Sequence, residues 1–392
     1  MTHKTPVVFV SRRRVLGLGA GLGASLGALG GILPQPLIGV RKAMAEGTPE
    51  TVVYVSNAGD PSVYVMAMNR ANGDLEMIDQ TTIPDVKPSP TSMPMAISPN
   101  HKFLEVALRS EPFTGVSFAI DPASGKLKHL GNAPLDASIA YTSIDHTGKW
   151  LLCASYPQGK LVINAIDADG RIKAPPNQII TDHPKAHCVI LDALNKHAYC
   201  SVLAQDVILQ FKFDAATGMV SPNTPAEVKT KQGAGPRHMA IHPNGKFLFL
   251  ITETTATIGS YAIDPASGTL KEIAFVDMLA PGALKEAPAA ADLHVSPDGH
   301  FLYGSERKTS SLVAFRIDQE KGTLSLIGRY PTETTPRGFA IEPRGKFLLA
   351  VGLDSNHMTV YAIRPGNGAL DPIKQHAMGK MPNWIEIVDL KA

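Results

Sequence analysis

The feature that most constrains the fold is a unit of about 45 to 50 residues that recurs seven times after residue 50. The copy at 233–264 contains a Pro-Arg-His start, an alternating strand, a Pro-Asn-Gly turn, an apolar strand and a second alternating strand. Related turn sequences recur at 98–100, 146–148, 297–299 and 343–345. Proline and glycine supply the backbone angles that tight hairpins need, so each copy is predicted to be a set of short antiparallel strands.

These repeats predict an all-β fold, a seven-bladed β-propeller with four-stranded antiparallel blades. A single unit cannot bury both of its faces, whereas radial stacking of similar units does. The segment 383–388 is a strand left over after the seventh unit, and we expect it to join the N-terminal strands and close the ring. A two-sheet sandwich is the alternative, but it offers no reason for seven similar units.

Residues 1–45 differ from the rest and are predicted to be a targeting segment, with the propeller over 46–392. They contain six Lys and Arg and no Asp or Glu, and a run rich in Gly, Ala and Leu follows the arginines at 12–14. This pattern resembles the twin-arginine export signal, which implies contact with the twin-arginine export machinery, cleavage near Ala45 and a periplasmic location. A membrane anchor is the alternative, although a stretch with so many glycines makes a poor spanning helix.

The net charge after removal of the targeting segment excludes one class of partner. The remaining chain has 31 Lys and Arg against 35 Asp and Glu, a net charge of about −4. A chain with this balance lacks the overall positive charge of a nucleic-acid-binding protein.

Three cysteines follow the targeting segment, Cys153, Cys188 and Cys200. A predicted hairpin of 187–191 and 198–202 places Cys188 roughly opposite Cys200, so a cross-strand disulfide is one alternative. Buried free thiols are the predicted state.

Several ordered segments carry a family resemblance that covers the chain after about residue 50. They are GAGPRHM at 233–239, ADLHVSPDG at 291–299 and PTETTPRGF at 331–339. The chain resembles the 6-phosphogluconolactonase family of the seven-bladed propeller type, whose fold is shared with fungal 3-carboxymuconate lactonizing enzymes. This resemblance implies lactone chemistry on a small-molecule substrate.

Polar residues of catalytic type lie where blades meet the central channel. In a propeller the innermost strands line this channel, and the loops that enter them form one rim. Five residues lie just before or within first strands, namely His187, Arg237, His238, Asp292 and Arg337. Three residues lie at the ends of second strands, namely Arg109, Glu253 and Arg307. Resemblance to the fungal enzymes implies a catalytic group that consists of His187, Arg237, Glu253 and Arg307. Within this group, Glu253 or His187 would transfer the proton. The predicted substrate-binding residues are Arg109, His238, Asp292 and Arg337.

These residue types suit lactone hydrolysis, which needs an activated water, a stabilised oxyanion and a protonated leaving alkoxide. Imidazole or carboxylate suits the proton transfers, and guanidinium suits the oxyanion and an anionic group on the sugar. Each residue also has a structural alternative, since arginines pair with carboxylates and strand histidines form hydrogen bonds. We expect His242 and His294 to be structural, and Asp292 to line the channel or orient a neighbour.

No metal or cofactor is predicted. Two His-x-x-x-His spacings occur, 183/187 and 238/242, but this spacing forms a metal pair only on a helix. On a strand four residues span about 13 Å, too far for one ion. The pattern therefore predicts metal-independent hydrolysis.

The sequence thus predicts an exported enzyme that opens a sugar lactone to the acid. Because the targeting segment directs the protein out of the cytoplasm, gluconolactone and other acidic lactones are candidates beside 6-phosphogluconolactone. Two alternatives come from other classes of protein. One is a non-catalytic propeller that binds a carbohydrate or a protein, and the other is a muconate cycloisomerase that uses the same arginines.

Overall fold

The computed structural model describes residues 49–284 and 286–390, which form seven four-stranded antiparallel sheets. Each sheet is one blade, so the predicted seven-bladed β-propeller is confirmed. The targeting segment and its cleavage position lie outside the described residues. Within the described ranges one short 3-10 helix occurs, Leu203–Gln205, and no helix there is long and apolar enough to cross a membrane.

The strands are numbered in chain order and are given from the innermost outwards. Blade 1 consists of β28 (Pro382–Asp389), β1 (Thr51–Asn57), β2 (Ser62–Met68) and β3 (Leu75–Thr82). Blade 2 consists of β4 (Met95–Ile97), β5 (Phe103–Leu108), β6 (Thr114–Ile120) and β7 (Leu127–Pro134). Blade 3 consists of β8 (Ile139–Ile144), β9 (Trp150–Ser155), β10 (Lys160–Ala165) and β11 (Gln178–Ile180).

The second half of the ring follows the same order. Blade 4 consists of β12 (Ala186–Leu191), β13 (His197–Val202), β14 (Val207–Asp214) and β15 (Met219–Lys229). Blade 5 consists of β16 (Pro236–Ile241), β17 (Phe247–Thr252), β18 (Thr257–Ile263) and β19 (Leu270–Asp277). Blade 6 consists of β20 (Ala290–Val295), β21 (Phe301–Glu306), β22 (Ser311–Ile317) and β23 (Leu324–Pro331). Blade 7 consists of β24 (Pro336–Ile341), β25 (Phe347–Gly352), β26 (His357–Ile363) and β27 (Leu370–Ala377).

The core lies between blades, and the second strand of each blade shows why. Every residue of β17 and β21 is buried, because both faces of these strands pack against other blades. Phe249 of blade 5 and Phe315 of blade 6 belong to one apolar cluster. The outer strands, such as β23, instead alternate between exposed and partly buried residues. Because apolar side chains are buried between neighbouring blades, one blade cannot be stable alone and a closed ring is needed.

The turn between the first and second strands requires a residue in the left-handed conformation. In blade 5, Gly245 has φ 72° and its N–H donates to the His242 carbonyl at 2.8 Å. In blade 4, whose turn sequence diverges, Asn195 takes this position with φ 56° and its N–H donates to the Asp192 carbonyl at 3.0 Å. Asparagine tolerates this conformation better than most side chains, so the divergent turn keeps the common geometry.

The C-terminal strand closes the ring, as predicted. Strand β28 pairs antiparallel with β1, with Thr51 opposite Asp389 and Val55 opposite Ile385. It is therefore the innermost strand of blade 1, while β1 to β3 complete that blade.

The three cysteines are free and buried, so the predicted state of the thiols is confirmed. The suggestion that Cys188 lies opposite Cys200 is wrong by one residue, because Cys188 pairs with Ser201 and Val189 pairs with Cys200. Successive strand side chains point to opposite faces, so this offset sends the two sulfurs into different apolar clusters.

A buried carboxyl in blade 2 makes the stability depend on pH. Glu105 is 1% exposed, and its Oε2 accepts a hydrogen bond from Ser117 Oγ at 2.6 Å. Burial raises the pKa of Glu105 to about 8, against the opposing effect of the Ser117 hydrogen bond. Between the ordinary carboxyl pKa and about 8, the folded state holds a proton that the unfolded state has released. The contribution of Glu105 to stability therefore falls as pH rises through this window.

We expect Glu105→Gln to raise the melting temperature at pH 9 and to change it little at pH 5, because glutamine cannot ionise. Thermal unfolding at both pH values measures this effect. Glu272→Gln, at an exposed position of β19, is the matched control and should behave like the wild type at both pH values. An equal change for Glu105→Gln at pH 5 and pH 9 would contradict this account.

Candidate active site

The eight predicted site residues lie at one end of the central channel. Antiparallel pairing brings the start of each first strand and the end of the second strand to the same end of a blade. Five of them lie in β12, β16, β20 and β24, namely His187, Arg237, His238, Asp292 and Arg337. The other three directly follow β5, β17 and β21, namely Arg109, Glu253 and Arg307. The predicted convergence is therefore present, and the roles of the residues stay predictions.

Glu253 holds two arginines together. Arg237 Nε donates to Glu253 Oε2 at 3.0 Å, and Arg307 Nη2 lies 3.1 Å from Glu253 Oε1. Arg237 is 1% exposed and also donates to the carbonyl of Ala291. Burial raises the pKa of Glu253, but the charges of Arg237 and Arg307 outweigh burial and lower that pKa. Glu253 is thus an ionised anchor for two guanidinium groups rather than an isolated surface carboxylate.

Two further arginines complete a cationic cluster. Arg109 Nε donates to Ser138 Oγ at 3.1 Å, and its Nη1 donates to Ser92 Oγ at 3.0 Å. Within the described ranges, the Arg337 guanidinium forms no hydrogen bond or ion pair. Burial lowers the pKa of Arg337, and the charges of Arg237, Arg307 and Arg109 lower it further. Like charges held this close together favour an anion among them.

We name Arg109, Arg237, Arg307 and Arg337 the arginine cluster. It contains four positive charges, and Glu253 is the carboxylate that binds two of them. This excess of positive charge suits a substrate with a phosphate or carboxylate group.

Two histidines, His187 and His238, lie side by side next to the arginine cluster. The His187 ring lies between Tyr156 and His238, with ring centroids 5.6 and 5.2 Å away. Burial, followed by the charge of Arg237, lowers the pKa of His187 well below its ordinary value. Burial and then Arg237 also lower the pKa of His238, to about 4. Both imidazoles are therefore neutral at pH 7 and able to accept a proton.

Asp292 connects three innermost strands. Its Oδ1 lies 2.7 Å from His238 Nδ1 on β16, and its Oδ2 lies 3.1 Å from His294 Nε2 on β20. The N–H of Phe339 on β24 donates to the same Oδ2 at 3.1 Å. Burial raises the pKa of Asp292, but the His294 charge and the His238 hydrogen bond outweigh burial and lower that pKa. Asp292 thus orients a neighbour, which is one of the two expectations from sequence.

The channel continues below these residues as a cavity of about 440 Å³. His238, Asp292 and His294 line it, together with Trp384 and Glu386 of β28. The side chain of His294 is 40% exposed and lines this cavity, and its expected structural role stays a prediction. Burial raises the pKa of Glu386 to about 7, against the opposing hydrogen bond from Trp384 Nε1 at 2.9 Å.

Glu386 and Trp384 line the channel but were not among the residues predicted from sequence. One signal was present, because the two residues alternate with Ile385 and Ile387 in a strand that was expected to close the ring. Alternation in an innermost strand predicts that every second side chain faces the channel. Tyr156, which contacts His187, follows β9 and carried no comparable signal.

The two His-x-x-x-His spacings lie on or beside extended strands. His242 Nε2 instead lies 2.9 Å from the carbonyl oxygen of Gly299, so His242 is structural, as expected. Across residues 49–284 and 286–390, no three His, Cys, Asp or Glu side chains are arranged to hold a metal ion.

Fold and site together define a class, a seven-bladed propeller with a cluster of arginines at one channel mouth. Residues 51–387 match the family described as "Lactonase, 7-bladed beta-propeller". A 6-phosphogluconolactonase of Pectobacterium atrosepticum is 35% identical over 341 residues, which cover 87% of this chain and 99% of that protein. The enzyme of the same name from Erwinia tasmaniensis is 34% identical and covers 86% of this chain and 98% of its own length.

Solved structures show the same fold. A Bacteroides fragilis protein superposes with a TM-score of 0.78 at 26% identity, over 87% of this chain and 98% of its own. The periplasmic gluconolactonase of Pseudomonas aeruginosa superposes with a TM-score of 0.78 at 24% identity, over 87% of this chain and 99% of its own. The chain belongs to the seven-bladed β-propeller lactonase family, and it is an enzyme of the lactonase class.

Proposed function

We propose that the protein hydrolyses an anionic sugar lactone, of the 6-phosphogluconolactone type, to the open-chain acid. The observation that carries this proposal is the arginine cluster, in which Glu253 pairs with two of the four guanidinium groups. Arg337 forms no ion pair in the described ranges, so the cluster has an excess of positive charge. A phosphate or carboxylate on the substrate would supply the balancing negative charge. The names of the relatives that match along the chain support the same substrate class.

The proposed reaction uses side chains of this chain and no metal ion. Arg237 and Arg307, held by Glu253, stabilise the negative charge that develops on the carbonyl oxygen. Arg109 and Arg337 bind the anionic group of the sugar. The two roles require different arginines, and the position of all four at one end of the channel supports this proposal.

Of the two groups predicted to handle the proton, the carboxylate is the weaker candidate. Both carboxylate oxygens of Glu253 are already bound, Oε2 by Arg237 and Oε1 by Arg307, so neither is free to take a proton from water. His187 is neutral and lies beside a second neutral imidazole, that of His238. We therefore assign the proton transfer to an imidazole.

A panel of lactones tests the substrate class. We expect purified residues 46–392 to open 6-phosphogluconolactone faster than gluconolactone, after subtraction of the spontaneous rate. Arg337→Ala should raise KM for the phosphorylated lactone about 10-fold or more, because a hydrogen bond to a charged group contributes about 1.5–3 kcal/mol. The same variant should change KM for gluconolactone little.

The matched control is Arg344→Ala, in the turn between β24 and β25. The Arg344 side chain is 47% exposed and pairs with Asp389 at 3.8 Å, away from the arginine cluster. Equal loss on both lactones with Arg337→Ala would contradict a role in binding phosphate. Turnover of a muconate instead of a lactone would favour the cycloisomerase, and no turnover by folded protein would favour a binding propeller.

We also propose that the protein is exported by the twin-arginine route. The support is the arginine run at 12–14, the glycine-rich apolar stretch after it, and the small residues that end at Ala45. In a host with this machinery, we expect periplasmic protein whose N-terminal residue is Glu46. Replacing the three arginines by lysine should leave the protein in the cytoplasm, whereas Lys4→Ala should not. An intact N-terminus on protein recovered from the cytoplasm would contradict this proposal.

A further inference from the structure

His238 and Asp292 form a buried imidazole–carboxylate pair next to the arginine cluster. His238 is 3% exposed and Asp292 is 8% exposed. The distance between His238 Nδ1 and Asp292 Oδ1 is 2.7 Å, which is short for a hydrogen bond and typical of one to a charged acceptor. Asp292 is an anion, so it accepts and His238 Nδ1 donates. The hydrogen bond therefore fixes both the tautomer and the orientation of the ring.

The other ring nitrogen of His238, Nε2, is available to a ligand. Because Nδ1 faces Asp292, Nε2 points away from that carboxylate and carries a lone pair. In the described part of the chain, His238 Nε2 is a buried polar atom with no hydrogen-bond partner. Buried polar atoms almost always have partners, and exceptions concentrate at functional sites. His238 also lines the channel cavity.

The neighbouring candidates lack this arrangement. Glu253 is occupied by two guanidinium groups. His187 has no carboxylate partner, and its Nδ1 is also a buried atom without a hydrogen-bond partner among the described residues. Of the two imidazoles, His238 is the one with a carboxylate to fix its tautomer and to stabilise the imidazolium that forms on proton transfer.

We propose that His238 is the general base of lactone opening, acting through Nε2, and that Asp292 is its positioning residue. This inference rests on the proposed function and changes the predicted role of His238 from substrate binding to proton transfer.

The step balances in protons and electrons. Nε2 takes a proton from water while the water oxygen bonds to the lactone carbonyl carbon, and the carbonyl π electrons move to the oxygen. When the carbonyl re-forms, the ring C–O bond breaks and its electron pair stays on the leaving oxygen. That oxygen takes the proton from Nε2, and the carboxyl proton of the product passes to solvent.

The charge of the substrate should strengthen this base. In the free protein, burial lowers the pKa of His238 to about 4, and the charges of Arg237 and Arg337 contribute to the lowering. An anion bound by those arginines would offset their effect and raise the pKa of His238. The titratable and charged groups around the ring lie on six strands and are Asp292, His294, His187, Tyr141, Arg237, Arg337 and Glu386.

The pH profile is the first test. The acid limb of kcat/KM reports the free enzyme, and that of kcat reports the substrate complex. With the phosphorylated lactone, we expect the acid limb of kcat to lie at higher pH than that of kcat/KM. With gluconolactone the two limbs should lie closer together. Coincident limbs on the phosphorylated lactone would contradict coupling between the arginines and His238.

Substitution is the second test. We expect His238→Ala to lower kcat by about 10²–10⁴-fold, the usual contribution of general acid–base catalysis. Added imidazole should restore part of this loss, since it can occupy the space of the missing ring. Asp292→Asn should lower kcat with little change in KM. His242→Ala is the control, because His242 directly follows β16 and its ring lies against the Gly299 carbonyl, and this variant should not respond to imidazole.

Each outcome decides between specific alternatives. If wild type opens no lactone, the proposed function fails and the base assignment fails with it. If wild type is active and folded His238→Ala keeps kcat within about threefold, or if imidazole rescues His187→Ala instead, only the base assignment is overturned. If Asp292→Asn lowers the melting temperature but not kcat, Asp292 stabilises the fold and does not position His238 for catalysis. His238→Gln replaces His238→Ala if the alanine variant does not fold.

Discussion

Arg237→Ala is expected to lower kcat/KM for lactone opening by about 10²–10³-fold, the usual loss when one oxyanion donor is removed. Arg237 is 1% exposed and donates to Glu253 at 3.0 Å, so its guanidinium has a single position. Its loss also leaves Glu253 with Arg307 as the one arginine that binds it. Initial rates on the phosphorylated lactone, corrected for spontaneous opening, measure the effect.

Two variants make this prediction specific. Arg237→Lys keeps the charge but cannot form the fork of hydrogen bonds, so we expect it to recover only a small part of the activity. Arg364→Ala is the control, because Arg364 lies on the outer part of blade 7 and pairs with Asp371 at 2.6 Å. If folded Arg237→Ala retains activity within threefold of wild type, Arg237 is structural.

Removal of strand β28 is expected to abolish cooperative folding of the propeller. A chain that ends at Met381 loses the innermost strand of blade 1 and the hydrogen bonds between β28 and β1. It also uncovers the edge of β1 and the apolar cluster that Ile385 joins with Val53 and Val351. Unfolding followed by circular dichroism should show a broad transition instead of a single cooperative one. A sharp transition at the wild-type temperature would show that the ring closes without this strand.

A pair of single substitutions tests the same contact on a smaller scale. Ile385 is 5% exposed, and Ile385→Ala should cost about 2–5 kcal/mol of unfolding free energy, as for other large-to-small changes in a core. Ile373 is 44% exposed on an outer strand, and Ile373→Ala should cost less than about 0.5 kcal/mol. Urea titration of both variants measures the difference. Equal costs would mean that β28 does not contribute more to the core than an outer strand.

Local sequence was sufficient to predict eight of the residues that reach the channel mouth, although not Tyr156. Arg237 and His238 follow a glycine-rich loop and begin an alternating strand, and Glu253 directly ends the next apolar strand. Antiparallel pairing of consecutive strands then brings these positions together, whatever the rest of the ring does. The targeting segment at 1–45 stays a prediction from composition and motif, because it lies outside the described residues.

The partners of these residues did not follow from the same patterns. Arg237 and Arg307 share Glu253, and His238 shares Asp292 with His294. One contact in each set, Glu253 with Arg307 and His238 with Asp292, joins blade 5 to blade 6, so it depends on the distance and angle between blades. The strand register around Cys188 and Cys200 was also not predictable from these patterns. The two strands are offset by one residue from the predicted pairing, which places the two cysteines on opposite faces.

The sequence by itself determined the number of blades, the turns, the closing strand and eight of the polar residues at the channel mouth. All of these follow from short-range periodicity and from residues such as Gly245, whose conformation is local. Only the tertiary structure decided that Glu253 is bound by two arginines, that Arg337 has no ion pair within the described residues, and that His238 is oriented by Asp292. The physical reason is that burial and charge at this site come from residues that different blades contribute, and their spacing exists only when the ring is closed.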